Sequence, residues 1–352
     1  MLQKKCWLSI AKRRAERRAN TWAAAAAIPL VPSQELMDHS GRELLFDSRI
    51  PGRLFSLNIG IARVNFTIHC GDAPLACEPE PATYTPFITD HPIKDSGSFT
   101  IDVRLEIKDF PSSEGLKGLF EGNGSWSMFK RGDEYYLTLN PFAADGSECI
   151  TRFDLPLEKA VVHCARIDIL EADGKRTVRN PFTFPLDQLL LMYALAEREG
   201  ALIHAAGVDY HGRGFLFAGR SGAGKSTLSR NFALKGCEML SDDRIVVRRI
   251  NNSFRIFGTP WAGEAGIAQN RDLPLEGILF IRHGTEHVMK EITPAEAAER
   301  LMPVTSIPWF DQKIVLSILS FCEDVTAHVP AYELSFKPEV GVVDVFEEFI
   351  SE

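Results

Sequence analysis

Gly219-Arg220-Ser221-Gly222-Ala223-Gly224-Lys225-Ser226-Thr227 sets glycines, a lysine and two hydroxyls in the spacing G-x-x-x-x-G-K-[ST]. Each residue type has a task in holding phosphate. Glycines let backbone N–H groups turn inward around phosphate oxygens, and a helix starting at the end of the loop adds partial positive charge. Lys225 is spaced to reach the β and γ phosphates, and Ser226 to place its hydroxyl on Mg²⁺. The apolar run Phe215 to Ala218 reads as the strand that must precede such a loop, and Ser226 to Lys235 as the helix that must follow it. The segment therefore predicts a nucleoside triphosphate site of the P-loop (Walker A) kind, with ATP and Mg²⁺ as cofactors and phosphoryl transfer as the reaction.

Close behind comes Met239-Leu240-Ser241-Asp242-Asp243, an apolar run ending in two carboxylates. One of the two acids can hold Mg²⁺ while the other acts as base toward an attacking hydroxyl, its pKa shaped by its neighbour and the metal. Further on, Glu264 is a candidate for the metal or the acceptor, Trp261 for a wall of the site, and Arg271 for neutralising charge on the transferred phosphoryl group.

The short interval between the glycine loop and the acidic pair resembles the HPr kinase/phosphorylase and phosphoenolpyruvate carboxykinase group. The resemblance runs over Ile203-His204-Ala205-Ala206-Gly207-Val208, the glycine loop, and Lys235 through Asp243. It implies an α/β P-loop kinase domain of that kind. His204 matches the family histidine near the transferred phosphate, Asp242 the catalytic aspartate and Asp243 the metal-side aspartate, with Lys225 and Ser226 in their usual roles. The pattern also departs from the family. HPr kinases carry Glu where this chain has Thr227, and in place of their glycine-rich signature stands Phe257 to Glu264. The implied acceptor is a serine hydroxyl of a protein or peptide, with HPr itself and phosphorolysis in doubt and a homo-oligomer left open. A nucleotide-responsive sensor without transfer and a carboxykinase-like small-molecule enzyme are the alternatives.

These residues need elements to position them. Between 54 and 172, period-two runs such as Phe99-Thr-Ile-Asp-Val-Arg-Leu-Glu-Ile read as antiparallel strands, with Arg131-Gly-Asp-Glu as a hairpin turn. Leu186 onward reads as a buried helix closed by Gly200. Ala201–Tyr210 and Gly214–Ala218 then form a hairpin through His211-Gly-Arg that delivers the chain to the loop. Scaffold follows: a strand over Leu275–Phe280, a helix over Pro294–Leu301 and a strand over Tyr332–Phe336. The domain expectation is a basic arm at 1–49, a β-rich domain at 50–180 and the nucleotide-binding domain at 181–352.

Composition bounds the partners. The 352 residues carry a net charge of -8 and are 45% hydrophobic, which suits packed domains and gives no basic surface for nucleic acid. Seven cysteines without a C-x-x-C pair fit neither a disulfide framework nor a zinc site. No run reaches the roughly 18 apolar residues that a membrane-spanning helix needs. The basic start, Lys4 to Arg18, with the alanine run Ala23–Ala27, reads as a solvated arm or helix. Cytoplasmic residence, without membrane attachment, is the expectation.

Overall fold

The computed structural model describes residues 56–70, 76–77, 82–107, 111–122, 126–139, 149–164, 169–172, 175–178, 181–220 and 222–351. The basic arm, the alanine run and Ser221 lie outside them.

Alternation of apolar and polar residues shapes the first half. Its strands are β1 (Ser56–Ile61), β2 (Val64–Cys70), β3 (Ala76–Cys77), β4 (Ile88–Thr89), β5 (Phe99–Ile107), β6 (Lys117–Glu121), β7 (Trp126–Arg131), β8 (Glu134–Leu139), β9 (Cys149–Phe153), β10 (Lys159–Cys164), β11 (Ile169–Ala172) and β12 (Lys175–Val178). Nine of them form one sheet in the order β4-β1-β2-β5-β10-β9-β8-β7-β6, and β11-β12-β3 form a second. In β5, Ile101, Val103 and Leu105 point into the core while Asp102 and Arg104 face out. Arg131 pairs with Glu134 across the predicted hairpin turn. The sheet is not antiparallel throughout, for β5 pairs in parallel with both β2 and β10. Alternation marks a strand with one buried face but carries no information about its neighbour's direction.

The second half opens with α1 (Leu186–Ala196), buried on nearly every face. It ends before Gly200, which begins the next strand; the left-handed residue at the exit is Glu199 (φ 48°). There follow β13 (Gly200–Tyr210), β14 (Arg213–Ala218), α2 (Lys225–Leu234), β15 (Glu238–Ser241), β16 (Arg244–Ile250), β17 (Ser253–Phe257), β18 (Asp272–His283), β19 (Val288–Glu291), α3 (Pro294–Leu301), α4 (Gln312–His328), β20 (Ala331–Phe336) and α5 (Gly341–Ser351). His211 and Gly212 both take positive φ in the β13–β14 turn, as a tight two-residue hairpin requires. Strand order is β14-β13-β16-β17-β18-β20-β19, and an added parallel ladder between β14 and β18 closes the first five into a circuit.

Two cores flank these strands. Leu216 and Ala218 of β14 and Ile278 and Phe280 of β18 face one core, with α1 and α4. Phe215, Phe217, Leu279 and Ile281 face the other, with α2 and α5. Burial on both faces explains why these strands read as continuous apolar runs rather than alternating ones. The first core also takes in Phe66, Val103, Leu137 and Phe182, so it runs across residue 180 without a break. Arg248 spans the same boundary, donating to Ala62 O at 2.7 Å and Gly97 O at 3.1 Å.

The second core is pinned by one aromatic side chain of the last helix. Phe346 is fully buried and meets Tyr210, Phe215, Phe217 and Phe232 edge to face, at centroid distances of 5.4, 4.9, 6.2 and 5.1 Å. Phe346→Ala should cost about 3–5 kcal/mol, from lost transfer energy together with a cavity under the strand that carries the glycine loop. Urea unfolding measures this, with Phe346→Leu expected to lose clearly less. Equal midpoints for wild type and Phe346→Ala would show that the helix does not brace this layer.

Candidate functional site

The glycine loop leaves the end of β14 and enters α2, and its shape depends on residues without side chains. Gly224 sits at the helix start with φ 98°, and a Cβ there would lie 2.7 Å from the Phe336 ring. No side chain caps α2, so its first N–H groups remain open to a ligand. Ser226 and Thr227 are half-buried in the first turn, Ala223 packs on the second core, and Arg220 is exposed.

Lys225 folds back over the loop and is only 7% exposed. Its Nζ donates to Gly219 O at 2.8 Å, to Arg220 O at 3.3 Å and to His204 Nε2 at 2.9 Å. None of the three acceptors is an anion. Burial therefore prevails over the more distant Asp243 and Asp242 charges and pulls the lysine pKa down to about 8.

His204 comes to this place on β13, where it pairs with Arg244 of β16. Nε2 faces Lys225 Nζ, and Nδ1 lies 3.0 Å from both Asp243 Oδ1 and Asp243 O; a proton assigned to Nδ1 satisfies these three contacts. Arg244 Nη1 also meets His204 Nδ1 and lies 3.3 Å from Asp243 Oδ2. Burial pushes the Asp243 carboxyl up. The His204 hydrogen bond and the charges of Arg244 and Lys225 outweigh it and hold the group below its ordinary range.

The two adjacent acids have different surroundings. β15 and β16 run along the same side of β13 and are interrupted at Asp242 and Asp243, beside an irregularity in the β13 ladder at Gly207–Val208. Asp243 turns to Lys225 and His204. Asp242 is 2% exposed and turns the other way, accepting from Gly263 N and Ala265 N at 2.8 Å each. A Cβ on Gly263 would lie 2.7 Å from Asp242 Oδ2, so only glycine lets the loop come so near. A carboxylate buried and engaged at both oxygens clamps this loop to the end of β15.

The remaining candidates are spread. Glu264 stands exposed on the clamped loop. Trp261 does not wall the site: its Nε1 donates to Tyr84 OH and Asp187 Oδ2, both at 3.1 Å, in a buried cluster between the two halves. Arg271 pairs with Glu238 and, at 2.7 Å, with Asp209. Asp209 lies five residues beyond His204 on β13, about 16 Å at strand rise, so Arg271 is away from the loop. Sequence reasoning missed Arg244, which it read only as the start of a strand, and His283, whose Nε2 donates to Gly222 O at 2.9 Å. The one signal for the latter was an apolar run, Ile278 to Ile281, ending on Arg-His.

The residues fit a triphosphate: an open helix start, a preshaped glycine loop and a buried cation short of an anion. Among the described residues no cluster of three or more His, Cys, Asp or Glu gathers. Mg²⁺ does not require one, because it binds through one or two carboxylates together with phosphate oxygens and water. Also among the described residues, no helix is long and apolar enough to cross a membrane.

No family model matches the chain, and no curated protein matches it. Among solved structures 28 chains match. One is the structure of the Hpr(Ser) kinase/phosphatase from Coxiella burnetii, similar at 12% identity over 43% of this chain and 92% of that one, with a TM-score of 0.25. That is a distant structural similarity within a mixed α/β architecture, and it carries no weight for the chemistry.

The unequal surroundings of the two acids give a direct test. Asp242→Asn turns an amide NH₂ toward a backbone N–H and should cost about 1–3 kcal/mol of stability. Asp243→Asn, at a partly exposed ion pair, should cost about 1 kcal/mol or less. Denaturant unfolding of both variants measures the order, and the reverse order would show that Asp242 is not the clamp.

Proposed function

We propose that this chain is a kinase that transfers the γ-phosphoryl group of ATP to a hydroxyl, with a serine of a protein or peptide as acceptor. The observation that carries the reading is the Lys225 ammonium, buried at the start of an uncapped helix, bound only to neutral acceptors and backed by the His204–Asp243 pair.

Phosphoryl transfer runs through a loose transition state, so positioning and charge matter more than covalent help from the protein. The open N–H groups of the loop and of α2 would bind phosphate oxygens, and Lys225 would turn its third N–H from His204 to the phosphate. That frees the Nε2 lone pair of His204. The ring then takes the acceptor's proton as its oxygen bonds to the γ phosphorus and the bond to the β–γ bridging oxygen breaks. Asp243 fixes the tautomer through Nδ1–H and stabilises the imidazolium, as a carboxylate does for histidine in nucleophilic sites. Ser226 and Asp243 would hold Mg²⁺, which supplies positive charge against the triphosphate. Asp242 then supports the site from behind. ATP as donor implies the cytoplasm as compartment.

A nucleotide-responsive sensor shares the loop but not the need for a lone pair facing the lysine. Labelled γ-phosphate should pass into an acceptor band in cell extract, and Lys225→Ala should abolish it. His204→Ala should lower transfer on the order of 10²- to 10⁴-fold with ATP affinity within a few-fold. Tight ATP binding with no transfer to any hydroxyl would favour the sensor.

The depressed Lys225 pKa adds a pH signature. Phosphate binds the ammonium form, which prevails below about pH 8 in the free protein and is lost above it. ATP affinity should therefore be flat from pH 6 to 7 and fall about tenfold per unit well above pH 8. A flat profile to pH 10 would contradict the assignment of Lys225 as the phosphate cation.

A further inference from the structure

We propose that His283 is a positioning residue for nucleotide binding, holding the glycine loop in its phosphate-ready shape from outside; this rests on the nucleotide reading above. The strand geometry sets it there. β18 runs parallel to β14, and their ladder ends at Ala218 opposite Phe280. β14 then gives way to the loop while β18 continues three residues further, about 10 Å, along the flank of the loop. His283, at its tip, is still held in the ladder by Phe336 of β20.

Its Nε2–H donates to Gly222 O at 2.9 Å. Gly222 has φ 80°, and the peptide that follows it is engaged on its other side too, for Ala223 N donates to Arg220 O at 3.0 Å. This peptide plane is therefore fixed at both its carbonyl and its N–H. Loop carbonyls that lack a backbone partner need another donor. Gly219 O and Arg220 O receive Lys225 from inside, whereas Gly222 O receives His283 from the neighbouring strand. Glycine-rich segments lose the most conformational freedom on ordering. An anchor that orders the loop beforehand raises affinity by lessening that cost at the moment of binding. His283 touches neither the reacting atoms nor the path of the proton from acceptor to His204, so its effect belongs to binding rather than to the chemical step.

The ring also lies 5.9 Å from the Phe336 ring, which offers a competing, purely packing role. The two are separable by substitution, because glutamine can present an N–H near the position of Nε2 and phenylalanine can keep the ring without it. ATP affinity by calorimetry, and KM and kcat for transfer, should be measured for the wild type, His283→Ala, His283→Gln, His283→Phe and Lys225→Ala. His283→Ala and His283→Phe should weaken ATP binding about 3- to 10-fold, the worth of one net hydrogen bond. KM should rise in step, kcat should stay within about twofold, and thermal midpoints should be unchanged. His283→Gln should bind like the wild type. Retention by phenylalanine with loss in glutamine would assign the ring to packing and overturn the proposal. So would wild-type affinity in all three variants alongside loss in Lys225→Ala, and that outcome leaves the nucleotide reading intact. Absence of ATP binding to the wild type would overturn both.

Discussion

An ammonium group held out of water without an anion beside it is costly, and the site is organised around one. Lys225 has two carbonyls and an imidazole nitrogen as partners, and the nearest carboxylate, Asp243, sits behind that imidazole. Neutral acceptors satisfy the N–H donors but do not replace the lost hydration of the charge. The depressed pKa registers the imbalance. The neighbouring geometry follows from it: the loop carbonyls turn toward Nζ, His204 offers a lone pair and so carries its proton on Nδ1, and Asp243 receives that proton between His204 and Arg244. Under the proposed reading, a polyanion over the loop would supply the missing charge, and the unfavourable state of the free protein would add to the driving force for binding.

Such a state persists only if the surrounding structure is rigid enough to hold it. β14 lies between two apolar layers, with successive residues feeding opposite cores. Each fully buried Leu or Phe there contributes about 1.5–3 kcal/mol, and the strand cannot slip by one residue without exchanging the faces. The loop therefore starts from a fixed point. Its other end is fixed by Leu228 and Phe232 of α2, which are buried in the second core. A segment of high intrinsic freedom is thus strung between two anchors of low freedom, and it is further tied by His283 on its outer side.

Local features of this arrangement were legible in the sequence, while features set by pairing at a distance were not. The glycine spacing, the His211–Gly212 turn and the helix at Pro294–Leu301 depend on residues close in the chain; the structure adds that Thr293 caps that helix, accepting from Glu296 N. Adjacent acids at a strand break must diverge, but which of them meets Lys225 depends on how β15 and β16 lie along β13. For that reason the sequence could not tell that Asp243 pairs with His204 while Asp242 holds the Gly263–Ala265 loop. Arg271 looked free in the sequence because its partners, Asp209 and Glu238, come from other strands. His283 gave no chemical signal, since its meaning arises from a parallel ladder between segments some 60 residues apart. Trp261 sits near Glu264 in sequence, yet its indole is claimed by Tyr84 of the first half.

That last contact bears on why the chain carries its β-rich half at all. Asp187, fully buried at the start of α1, accepts from Tyr84 OH and Trp261 Nε1, and burial raises its pKa to about 6 despite those donors. Trp261 and the two amides held by Asp242 belong to one short loop, Gly263 N and Ala265 N following the indole by two and four residues. The span allows little slack, for Gly266 N closes a turn back onto Gly263 O at 3.1 Å. A shift of the indole must be taken up either by that turn or by the Asp242 carboxylate, whose neighbour Asp243 orients His204. The first half of the chain, though none of its described residues contributes a side chain to the Lys225–His204–Asp243 cluster, thereby bears on the position of the acidic pair through a clamp on its far side. The first core, which takes in residues from both sides of position 180, helps to keep that clamp in register.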